Sequence, residues 1–90
     1  MRNILIVAGD IHKVLIEHKD VLGESKQKIL KDMERFHSTL VHSAPEALNT
    51  KFNFGILQSI MNHHITHEDY ESIDWCKKCI DIFIDPTYGM

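Results

Sequence analysis

The residues with the most chemistry in them lie between positions 62 and 79. Asn62-His63-His64-Ile65-Thr66-His67-Glu68-Asp69 gathers three imidazoles and two carboxylates, and Cys76-Lys77-Lys78-Cys79 follows. His63 and His67 are four apart, the offset that places two side chains on one side of a helix, and His64 and Glu68 repeat it. Together these residues spell H-x-x-x-H, eight residues, then C-x-x-C, and two His with two Cys are a donor set for tetrahedral zinc. The metal-binding reading therefore takes His63, His67, Cys76 and Cys79 as ligands, with His64 as an alternate, and zinc as the cofactor. Helical geometry works against it. In a helix that starts near His67, Cys76 lies roughly 13 Å along the axis at 1.5 Å per residue, whereas each ligand must reach about 2.3 Å from one ion. The plainer reading is a helix–helix corner with exposed imidazoles and two thiols, one of them facing the core.

Two short motifs bear on redox and oxygen chemistry. Trp75-Cys76-Lys77-Lys78-Cys79 resembles the W-C-x-x-C of thioredoxin-like oxidoreductases over those residues. That resemblance implies disulfide exchange at a site that follows a strand and opens a helix early in the fold. Here the motif lies late, inside a helical pattern, where Cys76 also reads as a small core residue. His64 and Asp69 form an H-x-x-x-x-D that resembles the late motif of hemerythrins, four-helix di-iron proteins. The H-x-x-x-E and H-x-x-x-H pairs of that family would have to come earlier, and neither His37 with His42 nor His12 with His18 has the spacing. His18 and His37 each fall on an apolar stripe and are candidates for an intra-bundle pair whose protonation loosens packing. His12 and His42 read as surface residues.

Four segments position these groups. In the first, Ile11, Val14, Leu15, His18 and Leu22 predict an amphipathic helix over 11–22, with Asp10 as its N-cap and Gly23 at its end. Residues 3–8 read two ways: Ile4 and Val7 extend the same stripe backward, or Ile4–Ala8 is a buried strand ended by Gly9. In the second, Ile29, Leu30, Met33, Phe36, His37, Leu40 and Val41 form a helical stripe over 25–42, with Ser25 as cap. The third, 44–65, opens on a capping box at Ser43-Ala44-Pro45-Glu46 and continues as Leu48, Phe52, Ile56, Leu57, Ile60, Met61 and His64. Gly55 interrupts it and suggests a kink or the close approach of another helix. The fourth, 67–84, is capped by Thr66, with Tyr70, Ile73, Cys76, Ile80 and Phe83 on one face. Residues 80–85 also alternate as a strand would.

The predicted fold is therefore all-α, a single domain over 1–90 built as a small antiparallel four-helix bundle. The alternative is an α+β arrangement whose N- and C-terminal strands pair in a dimer. Composition supports a globular domain: 90 residues, 43% hydrophobic and 26% charged. The longest apolar run, Ile4–Ala8, is too short for a bilayer span or a secretory leader, and two cysteines are too few for a disulfide scaffold. These features predict a cytoplasmic protein. Ten basic against thirteen acidic residues, without a basic stripe, disfavour nucleic acid. No phosphate loop, nucleophile elbow or H-E-x-x-H is present. A second apolar stripe, Trp75, Cys79 and Ile82, lies opposite the main face of the last helix, and Phe54 points away from the third helix's stripe. The expected function is a non-enzymatic protein-binding module, a regulator, inhibitor or adaptor. Its contact surface would contain Phe54, Trp75, Cys79 and Ile82, extended by Tyr88, for a protein partner or a second copy in a homodimer.

Overall fold

The computed structural model of the chain describes residues 3–85. Five helices follow one another: α1 (Ile4–Glu17), α2 (Glu24–Val41), α3 (Lys51–His64), α4 (His67–Ser72) and α5 (Asp74–Ile84), with 3-10 turns at Lys19–Val21 and Pro45–Ala47. No strand occurs among the described residues. The ambiguity over 3–8 resolves as helix, and 80–84 lies within α5, so the paired-strand alternative falls away.

Local chemistry accounts for most boundaries. Asn3 caps α1, its Oδ1 accepting the Leu5 N–H at 3.0 Å, while Asn49 Oδ1 accepts the Ile4 N–H at 2.8 Å. Ile4, Val7, Ala8, Ile11 and Leu15 are then one fully buried stripe from the first turn to the last. Asp10 lies inside this helix rather than at its cap, and Gly23 caps α2 rather than ending α1. The Gly23 carbonyl accepts from Lys26 and Gln27, so the helix begins ahead of Ser25. α3 begins later than the Pro45 signal suggests. Pro45 opens only a 3-10 turn, and Thr50 caps the helix through its hydroxyl, which accepts the Asn53 N–H at 3.1 Å. The Asn53 amide in turn donates to the Ala47 and Leu48 carbonyls, tying the loop to the helix start.

The fourth predicted helix is two helices. Thr66 and Asp69 form a reciprocal capping box that starts α4. Ile73 then takes an extended backbone conformation (φ −116°, ψ 115°) and restarts the chain as α5. Neither Gly nor Pro marks that break. The buried face of α5 is Trp75, Cys76 and Cys79, with Ile80, Ile82 and Phe83 packed at its margins.

α1 is the centre of the assembly, packing on α2, α5 and α3. The result is an all-α bundle in which α4 and α5 together occupy the place of the fourth helix. Among the described residues, no helix is long and apolar enough to cross a membrane.

Candidate functional site

The apolar residues predicted to face a partner are largely interior. Trp75 is 5% exposed and Cys79 fully buried, while Phe54 and Ile82 are half-buried and packed against the core. Tyr88 lies outside the described residues. The second stripe on the last helix is therefore core, not surface: at about 100° per residue, Trp75, Cys76, Cys79, Ile80, Ile82 and Phe83 all fall within about 160° of one another on α5, one broad face rather than two opposite ones.

Residue Phe52 makes the converse correction. Leu57, Met61 and His64 define the buried face of α3. At about 100° per residue, Phe54 lies about 60° from Leu57 and Phe52 about 140° away. Phe54 consequently turns inward and Phe52 is 76% exposed, the most exposed large hydrophobic among the described residues.

The four residues assigned to zinc are not brought together. His63 and His67 are exposed, the former edge-on to the His64 ring at 4.7 Å and the latter 3.5 Å from Glu71. Cys76 and Cys79 are inside the bundle. Among the described residues, no three His, Cys, Asp or Glu side chains converge on a point that would hold a metal. Burial pushes the Cys76 thiol up to about 11, the Asp69 carboxylate adding to the rise and Lys26 opposing it. Cys79 is pushed up to about 12 by burial and then by Cys76. Both are neutral thiols near pH 7, poor as thiolate ligands and as nucleophiles for disulfide exchange.

Two polar arrangements hold the helices in place. At the α3–α4 corner, Lys26 of α2 donates to the His64 carbonyl and, at 2.7 Å, to Asp69 Oδ2. That bond, with the Thr66 N–H, holds the Asp69 carboxyl below its ordinary value. His64, the one buried polar side chain among the described residues, hydrogen-bonds through Nε2 to Asp32 Oδ2 at 2.8 Å and so ties α3 to α2. Between α1 and α2, the rings of His12 and His37 stack at 5.7 Å. The histidine pair predicted from the apolar stripes was His18 with His37. Instead, His18 Nδ1 donates to the Val14 carbonyl at 2.8 Å, and His12, expected at the surface, is half-buried. Desolvation first, then His37, lowers the His12 pKa, with Glu34 opposing. The close approach suspected at Gly55 occurs at Gly9, where the His37 ring lies over the α1 backbone; Gly55 faces open space.

Among the described residues, an apolar groove of about 410 Å³ lies between α2 and α3. Asp32, Arg35, Phe36 and Thr39 form one wall; Phe52, Asn53, Ile56 and Ile60 form the other. Thr39 faces Phe52 at one end and Asp32 meets His64 towards the other, so the helices run antiparallel. Spacing alone could identify α3's groove-facing apolar residues, Phe52, Ile56 and Ile60, but only the packing of α2 against α3 makes them a groove. The chain matches no family model, no curated protein and no solved structure.

Proposed function

We propose that this chain is a small non-enzymatic protein-binding module, a regulator, inhibitor or adaptor, that engages a protein partner through the α2–α3 groove. The observation that supports this reading is Phe52, which is 76% exposed on the wall of a groove that also holds Phe36, Ile56 and Ile60. Full burial of one such side chain is worth about 1.5–3 kcal/mol, and desolvated aromatic anchors dominate the energetics of protein interfaces. A trough between two antiparallel helices suits a third helix, whose side chains interdigitate with both walls. The two cysteines, free and buried, suit a reducing compartment, and the cytoplasm is the location we assign.

The test is photo-crosslinking in the cells that make the protein. Phe52 is replaced by a photoreactive phenylalanine analogue, with the exposed Ser72 of α4 replaced in a parallel control. A discrete adduct from position 52 that position 72 does not give is the expected result. An adduct of twice the chain's mass would identify the partner as a second copy. No adduct, or the same adducts from both positions, would remove the groove as a contact surface.

A further inference from the structure

We infer that the groove is built for an amphipathic helix of another protein whose apolar stripe is flanked by acidic residues. This rests on the protein-binding reading above and specifies its partner. Phe52, Ile56 and Ile60 are spaced four apart along α3, so they present an apolar edge about 12 Å long at 1.5 Å per residue. A partner helix meets such an edge with apolar residues at i, i+3, i+4 and i+7.

Charge sets the flanks. Arg35 lines the groove itself. Lys28 lies one turn before Asp32 on the same side of α2, and Lys31 one turn before Arg35. α3, the other wall, contains no Asp or Glu. Lys28, Lys31 and Arg35 make no ion pair with any described residue. The one carboxylate among the described lining residues, Asp32, is hydrogen-bonded to His64, and Lys28, Lys31 and Arg35 outnumber it on this side of the groove. This rim contrasts with the chain as a whole, whose net charge is −3. The acidic excess lies elsewhere, largely in α4 and α5 at Glu68, Asp69, Glu71, Asp74 and Asp81. Unpaired cations around an apolar trough favour acidic partners by complementarity and speed their encounter.

Two measurements test the inference. Sedimentation of wild type and Phe52→Asp comes first. A wild-type dimer that Phe52→Asp dissociates would mean that a second copy fills the groove, and the inference would fail. The second is selection from a display library of 14-residue helical peptides. Apolar residues are fixed at i, i+3, i+4 and i+7, and the other positions are drawn equally from Glu, Lys, Gln and Ser. Binders are selected on wild type and counter-selected on the neutral Phe52→Ser. The expected binders carry more Glu than Lys beside the stripe. The best one should lose about tenfold or more in affinity to Lys31→Glu/Arg35→Glu, and less to the neutral Lys31→Gln/Arg35→Gln. Phe52-dependent binders without a Glu excess, or indifferent to charge reversal, would overturn the acidic partner while leaving the groove as a binding site. Failure to obtain any Phe52-dependent binder would overturn the protein-binding reading itself. Thermal unfolding of each variant confirms that it retains the wild-type fold.

Discussion

Replacing Gly55 by Ala is expected to stabilise the fold, whereas the same change at Gly9 is not. Both glycines lie inside helices, α3 and α1, where Ala is favoured over Gly by roughly 0.5–1 kcal/mol. At Gly55 an added Cβ meets nothing within 4 Å, so the whole of that gain should appear. For a domain of this size it corresponds to a rise in Tm of roughly 2–8 °C. At Gly9 the added Cβ would stand 3.2 Å from His37 Nε2. The His37 ring is itself stacked on His12 at 5.7 Å, so the few tenths of an ångström it must give are taken against that stack. The propensity gain is then offset, and Gly9→Ala should be neutral or destabilising. The assay is thermal and urea unfolding followed by far-UV circular dichroism, with all variants at one pH. Equal gains at both sites would refute the placement of His37 over α1. A loss at Gly55 would refute the open outer face of α3.

The remaining predictions concern burial and charge. Trp75→Ala should cost about 3–5 kcal/mol, whereas Phe52→Ser should stay within about 0.5 kcal/mol of wild type; urea unfolding compares them directly. Cys76 and Cys79, pushed up to about 11 and about 12, should resist a thiol reagent at neutral pH until the chain is unfolded. Their protons leave the unfolded chain first, so these thiols should also lower stability as pH rises from 9.0 towards 11. Lys26→Met removes donors to the His64 carbonyl and to Asp69, and should cost about 2–3 kcal/mol at neutral pH. The folded-state pKa of Asp69 is lowered from 3.8, so its contribution is present above that value and fades below it; the gap between Lys26→Met and wild type should narrow in acid. His12 has its folded-state pKa lowered from 6.5. The unfolded chain takes up that proton first as pH falls, so stability should decline below 6.5, and His12→Gln should flatten the decline.

Much of the helical architecture was legible because its periodicity is strong. Of the stripe read over 25–42, Ile29, Leu30, Met33, Phe36 and Leu40 are buried as their spacing predicts, whereas Val41 at the helix end is 55% exposed; Thr66 caps α4 through its side chain. The faces of α3 and α5 were harder to read. Phe52 and Phe54 exchange roles because a stripe drawn through Phe52 and Ile56 is rotated from the one that packs, centred on Leu57 and Met61. Trp75 and Cys79 face the core because the two stripes of the last helix are offset by one residue, about 100°, and merge into one broad buried face; the division of that helix at an extended Ile73 carries no breaker's signature in the sequence. The candidate site was the least legible part. Its walls come from two helices, and its polar end depends on Asp32 meeting His64 across 32 positions of sequence.

The central position of α1 also bears on how the protein is made. Its stripe of Ile4, Val7, Ile11 and Leu15 is shared between α2, close behind it in sequence, and α5, the last helix of the described structure. At about 5–20 residues per second, synthesis from Glu17 to Asp74 takes roughly 3–11 s. During that interval a nascent chain can close α1 against α2 and α3, but the side that receives Trp75, Cys76 and Cys79 stays uncovered. The burden on chaperones therefore falls on α1 rather than on the segment still emerging, and a ribosome that stalls before α5 leaves an aggregation-prone product.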